Sequence, residues 1–183
     1  MSLTESIYNL QDAMNSYGIE QEHGLGTELF HFASTLMPVV NVDLLVIDRA
    51  KGILLSWRDD PYTGVGWTIP GRCIRFGESI NDAIQTCAID EIGSVVEHTD
   101  QPIRVLDFIT TEHREIEDQR ERAHFITLAY LCSISDDYEI YNPEKDEHTQ
   151  GFLKWFEYMP DDLFFGHNCY RDIFESIRKG EYK

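Results

Sequence analysis

From residue 79 to residue 93 the apolar positions repeat with a helical period. Ile80, Ala83, Ile84, Cys87, Ala88 and Ile92 recur at i, i+3, i+4, i+7, i+8 and i+12, which puts them on one face. Ser79 opens this helix, and Gly93 stands where a helix commonly stops in the left-handed conformation. Asp82, Thr86 and Asp90 form the opposite, polar row. Two short apolar runs come before it, one ending in the turn Ile69-Pro70-Gly71 and one from Cys73 to Phe76. The stretch therefore predicts strand, glycine turn, short strand and a helix with acidic residues near both ends.

Elsewhere the pattern is plainer. Residues 4–16 and 26–36 predict two short helices, broken at Gly24-Leu25-Gly26. Residues 38–47 are rich in β-branched side chains and predict a strand, turned by Arg49-Ala50-Lys51-Gly52 onto a partner at 53–57. Further strands are predicted at 103–111, 122–131 and 152–156, and a last helix at 169–179 that packs through Tyr170, Ile173, Phe174 and Ile177. Between two of these strands, residues 112–122 are densely charged and read as a solvated loop, with a substrate-side lid as the other possibility. These boundaries divide the chain into an N-terminal helical extension, 1–37, and a main domain, 38–183.

Composition narrows the function. A chain of 183 residues with 42% hydrophobic and 26% charged residues suits one globular domain with a real core. No run approaches membrane-spanning length and no signal peptide is evident, so a cytoplasmic protein without a membrane partner is expected. The net charge of −18 argues against nucleic acid as a partner, although a few local arginines and a metal can still hold a nucleotide. The four cysteines show no C-x-x-C spacing, against a zinc site or a disulfide framework.

The stretch from Trp67 to Gly93 resembles the Nudix box, G-x5-E-x7-R-E-U-x-E-E-x-G-U. Glu78, Ala88, Glu91 and Gly93 match it, and Asp90 stands in for the first Glu of the acidic pair. Arg72 occupies the first Gly, beside Gly71; Thr86 replaces the Arg, and Cys87 replaces the Glu after it. The resemblance implies a Nudix α/β/α sandwich with a mixed β-sheet. It also implies oxygen ligands for a hard cation, Mg2+ or Mn2+, that bridges phosphate oxygens. Cys87, on the apolar stripe, reads as a small buried hydrophobe. Glu91 reads as a metal ligand, or alternatively as a solvated acid at the helix end. Asp90 is open between an outer metal partner and a surface acid.

The loss of the ligand at Cys87 is similar to what is seen in the GDP-mannose mannosyl hydrolases, which attack the sugar's anomeric carbon. A P-x-V-x-x-D strand of that branch matches Pro38, Val40 and Asp43, and implies that Asp43 faces the substrate; the alternative is an edge-strand acid facing water. Their K-R-x-x-x-P-x-x-G-x-W loop implies that Arg58 binds the diphosphate, its planar fork suiting diphosphate oxygens. Here the Pro is shifted by one residue. A second family arginine falls on Cys73, with Arg72 or Arg75 as out-of-register substitutes. The strand at 122–131 is similar to a T-H-Y-V-V-L strand, but His124 reads better as a core histidine.

In the same branch a Gln-His pair in D-E-Q-H-D-D-Y-R-W supplies a metal ligand and a general base. Asp146-Glu147-His148 lies two residues further from Trp155 than that spacing, and strict counting would put Gln150 at the base position. The reading preferred takes His148 as the base, whose ordinary pKa lies near neutrality, and Glu147 as the ligand. The metal set is then the Gly71 carbonyl, Glu91 and Glu147, with Asp90 beside it; Asp43, Arg58 and Arg72 bind the nucleotide-sugar. The expected activity is Mg2+-dependent hydrolysis of a GDP-sugar, GDP-mannose first, to GDP and free sugar by a homodimer. Attack at phosphorus, supported by a second metal at Asp90 and Glu91, is one alternative. A catalytically silent nucleotide-binding module is the other.

Overall fold

Residues 39–48 form the strand on which the molecule is built. In the computed structural model, which describes residues 2–19, 24–60, 64–109 and 124–182, this strand is β1, Val39–Asp48. Side chains alternate across a strand. Val42, Leu44 and Val46 therefore enter one core, and Leu45 enters the other. A strand buried on both faces carries such a near-continuous apolar run.

β1 is followed by β2 (Gly52–Asp60), β3 (Gly64–Thr68) and β4 (Gly71–Cys73). Helix α3 (Ile80–Cys87) comes next, then β5 (Glu97–His98), β6 (Arg104–Ile109), β7 (His124–Ser133) and β8 (Leu153–Phe156). The sheet is mixed, in the order β3-β2-β1-β7-β5, with β4 on β1, β6 on β7 and β8 on β2. β1 and β7 are parallel, from Val39 against Phe125 to Val46 against Cys132, and the other pairs are antiparallel.

The box helix covers one face, burying Ala83, Ile84, Cys87, Ala88 and Ile92. On the other, the C-terminal helix α4 (Arg171–Arg178) buries Ile173 and Phe174 against Leu45, Leu55, Trp67 and Ile69. This is the expected α/β/α sandwich.

Several boundaries differ from expectation for local reasons. β2 runs on to Asp60 because it forms a hairpin with β3, Trp57 opposite Trp67 and Asp60 opposite Gly64. β4 starts at Gly71 rather than Cys73, because the Leu44 N–H already bonds the Pro70 carbonyl at 2.9 Å. Ile80, counted on the apolar face, stays outside the core at 43% exposure. A 3-10 turn, Phe165–Tyr170, leads into α4. The charged loop 112–122, and the ends of two predicted strands beside it, lie outside the described residues.

Before β1, α1 (Leu3–Ser16) and α2 (Gly26–Ser34) form as predicted. Ser2 and Glu5 make a reciprocal capping box at the start of α1. No residue of α1 is buried. Among the described residues no helix is long and apolar enough to cross a membrane.

One turn fixes the β1–β2 corner. The Asp48 carboxylate accepts from the Ala50 and Lys51 N–H groups at 2.7 and 2.8 Å, and Gly52 follows at φ 96°. A Cβ at Gly52 would stand 1.9 Å from the Phe156 carbonyl oxygen. Gly52→Ala therefore combines left-handed strain with a backbone clash, and we expect it to cost about 2 kcal/mol or more. Urea unfolding measures this; a loss below about 0.5 kcal/mol would show that the corner can shift freely.

Candidate active site

The box helix changes pitch where its acids lie. After Cys87 the ladder widens into a π turn, Ala88–Ile92, and ends at Gly93 with φ 78°. Such turns recur at functional sites because they displace side chains from the regular helical row. The turn is anchored: Tyr138 donates its hydroxyl to the Ile92 carbonyl at 2.8 Å, and the Gln85 amide nitrogen donates to the Val96 carbonyl at 2.8 Å. Asp90 points into solvent. Glu91 is partly buried, and burial raises its pKa; Asp90 adds to this, while Arg58 and Lys145 oppose it.

Cys87 is fully buried on the inner face of the same helix, as its place on the stripe predicts. Burial first, then the Glu91 and Asp43 charges, push its thiol far above the ordinary range, with Arg72 opposing. A thiol so held stays protonated and offers nothing to a hard cation. Arg72 itself donates to Glu78 at 2.8 Å, and the other Glu78 oxygen accepts from the Arg75 N–H at 2.8 Å. This pair braces the loop between β4 and α3.

Asp43 lies on an interior strand and is 6% exposed, which overturns the alternative of an edge acid facing water. Tyr170 donates to its Oδ2 at 2.6 Å. Burial raises the Asp43 pKa to about 6, against the pull of Tyr170 and Arg58. A Cβ on Gly71 would fall 2.4 Å from Asp43 Oδ1, so this position takes only glycine while the carboxylate stays in place. The bonds from Leu44 N–H to Pro70 and from Ile74 N–H to Val40 set the phase of the β1–β4 ladder. In that phase Asp43 and Gly71 are a non-hydrogen-bonded pair, and the Gly71 carbonyl turns away from β1.

Arg58 is the common neighbour. Its charge is felt by Asp43, by Glu91 and by His167, and its guanidinium carbon lies 5.6 Å from the Phe164 ring centroid. Asp43 and Glu91 thus share Arg58 as a neighbour, Gly71 lies against Asp43, and the Arg72 charge reaches Cys87.

The late loop is pinned to β2 beside Arg58. The Gln150 side chain accepts from the Asp59 N–H at 2.6 Å, and the Gly151 N–H donates to the Trp57 carbonyl at 2.8 Å. Gln150 is thereby the anchor of the loop. His148 packs on Trp57, ring centroids 4.4 Å apart. Glu147 is exposed and meets Lys154 at 2.5 Å, a contact that lowers its pKa. His124 is not a core histidine: its side chain is 35% exposed, and its Nε2 lies 2.9 Å from Asp107 Oδ1.

Among the described residues no three His, Cys, Asp or Glu side chains are grouped to hold a metal. Mg2+ is commonly held by one or two carboxylates together with substrate phosphates and waters, and it takes only oxygen donors. Glu91, a carboxylate kept partly out of water, and the outward Gly71 carbonyl fit that pattern.

Two residues of this site escaped the sequence reading, His167 and Tyr170. His167 Nδ1 accepts the Ile69 N–H at 2.9 Å, and burial with Arg58 lowers its pKa to about 3. Its 3.7 Å approach to Asp43 is therefore no ion pair, the imidazole being neutral. Tyr170 was legible only as a packing residue.

A mixed sheet between a glutamate-bearing box helix and a C-terminal helix is the Nudix fold. The MutT Nudix hydrolase of Burkholderia pseudomallei superposes with a TM-score of 0.55 at 20% identity, over 75% of this chain and 95% of that one. The MutT protein of Methanosarcina mazei does so with a TM-score of 0.54 at 18% identity, over 80% and 97%. No family model matches the sequence. The chain belongs to the family of the low-salt glycan biosynthesis protein Agl8 of Haloferax volcanii: the two are 31% identical over 122 residues, 66% of this chain and 72% of that protein.

Proposed function

We propose that this protein hydrolyses a nucleoside-diphosphate sugar, GDP-mannose or a close analogue, to the nucleoside diphosphate and the free sugar, with Mg2+ or Mn2+. Cys87 is the observation that carries this reading. A buried, protonated thiol in the place of a box carboxylate leaves Glu91 as the one partly buried acid of the turn, beside Arg58. That set suits a single cation and a guanidinium on a departing diphosphate. The name of the glycan-biosynthesis relative supports an activated sugar as substrate.

Glu91 and the Gly71 carbonyl would hold the cation, which neutralises charge on the diphosphate when bound. Arg58 binds the diphosphate oxygens. His148, carried on a loop fixed one residue from Arg58, takes the proton from water. The water oxygen bonds to the anomeric carbon as the bond from that carbon to the phosphate oxygen breaks, and the diphosphate leaves with the electron pair. Glu147 is engaged by Lys154 and joins the metal set only on leaving it.

Incubation with GDP-mannose and Mg2+ in 18O-labelled water tests the proposal. GDP with the label in mannose is expected. Label in GMP or mannose 1-phosphate would move the attack to phosphorus. Nucleotide binding with no product would indicate a binding module.

A further inference from the structure

We propose that Asp43 and His167 form a subsite that grips one hydroxyl of the substrate's sugar, with Tyr170 as the residue that positions Asp43. The inference rests on the reading of this site as one for a diphosphate-linked sugar. It begins with the tautomer of His167. The Ile69 N–H, 2.9 Å away, occupies Nδ1 as a donor, so the imidazole proton sits on Nε2. Burial, helped by Arg58, keeps the ring neutral down to about pH 3. His167 is thus a fixed neutral donor and cannot take a proton as a base.

Its Nε2 lies 3.7 Å from Asp43 Oδ2, beyond hydrogen-bond distance. That oxygen already takes the Tyr170 hydroxyl at 2.6 Å, and Oδ1 is held against Gly71. A fixed donor and a fixed acceptor therefore face each other across a gap slightly too wide to close. One oxygen that accepts from Nε2–H and donates to the carboxylate bridges them, with each bond about 2.8 Å. Among substrate groups a hydroxyl does both from one atom. A phosphate oxygen accepts only, and the carboxylate would repel it. The subsite adjoins the proposed diphosphate group Arg58, since the rings of His167 and Phe164 are 5.2 Å apart and the Arg58 guanidinium lies over the Phe164 ring.

A site built around a hydroxyl rejects the analogue that lacks it, because the His167 Nε2 donor then loses its partner and Asp43 keeps only the bond from Tyr170. The experiment compares kcat/KM for GDP-mannose and its 2-, 3-, 4- and 6-deoxy analogues in the parent, in His167→Asn and in Tyr170→Phe. Asn at 167 keeps an acceptor for the Ile69 N–H and removes the Nε2 donor. In the parent, one deoxy analogue is expected to lose roughly 100-fold or more, while the others stay near GDP-mannose. In His167→Asn the penalty for that same analogue shrinks to within about tenfold. Tyr170→Phe is expected to raise KM for GDP-mannose about tenfold and to leave KM for that analogue unchanged.

Equal use of all four analogues by the parent would overturn the subsite while leaving the proposed reaction intact. So would an equal loss on every substrate in His167→Asn, the mark of a merely structural role. Failure of the parent to bind or split any GDP-sugar would overturn the proposed reaction, and the subsite with it. A long-range 1H–15N spectrum adds a readout independent of turnover. The His167 Nε2 proton should shift with GDP-mannose and not with GDP; an equal shift with both would overturn the sugar assignment.

Discussion

Glu91→Gln lowers metal-dependent turnover about a thousandfold and leaves the protein as stable as the parent, within about 1 kcal/mol. Both halves follow from the π turn. The amide has the shape of the carboxylate, and the turn is held by Tyr138, Gln85 and Gly93, none of which touches the Glu91 charge. Loss of the turn's one partly buried carboxylate removes the anionic ligand of a hard cation, worth several kcal/mol of transition-state stabilisation. Stability moves the other way, if at all. The ionised carboxylate is disfavoured by burial, so replacing it relieves that cost while removing a partner of Arg58. Steady-state turnover with a thermal melt checks the pair of outcomes. Turnover within tenfold of the parent would take Glu91 out of the metal set, and a large loss of Tm would make it a structural residue.

Asp43→Asn changes the dependence of stability on pH in the metal-free protein. Asp43 keeps its proton up to about pH 6 when folded, against 3.8 as its ordinary value, so the folded state binds more protons across that window. Its contribution to stability is therefore lost as pH rises through the window, by about 3 kcal/mol in all. His167 has the opposite sign. Its pKa falls from 6.5 to about 3 on folding, so its contribution is lost as pH falls below 6.5. In the parent the two slopes offset each other between about pH 4 and 6. The Asn variant still offers an oxygen to Tyr170 but keeps only the His167 slope. Relative to the parent, it should gain about 3 kcal/mol between pH 4 and pH 7 in urea unfolding. A difference between the two proteins that does not change with pH would refute the raised Asp43 value.

The parts legible in the sequence are those fixed by neighbours along the chain. The period of Ile84, Cys87, Ala88 and Ile92, and the left-handed Gly93, gave the box helix its buried face and its end. The β-branched run at 39–47 gave the central strand, and Asp43 within it was visible as a carboxylate out of place. What stayed hidden depends on pairing. Nothing between 57 and 68 shows that Trp57 and Trp67 face each other in a hairpin, because its glycines and acids read equally well as a loop. The π turn has no local signature. Tyr170 carried the apolar spacing of a packing residue, and it is fully buried; the bond from its hydroxyl to Asp43 exists only in the folded sheet. His167, outside any periodic pattern, offered no signal until Ile69 and Asp43 stood beside it.

The bond from Tyr170 to Asp43 spans 127 residues, and β1 takes β7 as its parallel neighbour from far along the chain. A ribosome delivers Asp43 long before it delivers either partner. Until then the central strand is an apolar segment with an unmade edge and an aspartate in water, a state best kept brief or shielded. Pairing of such distant segments is slow, because the intervening loop must close before any contact rewards it. The Asp43 site is therefore among the last features to form during synthesis, and a chain released before residue 170 has the box helix in its sequence but lacks the residue that seats Asp43.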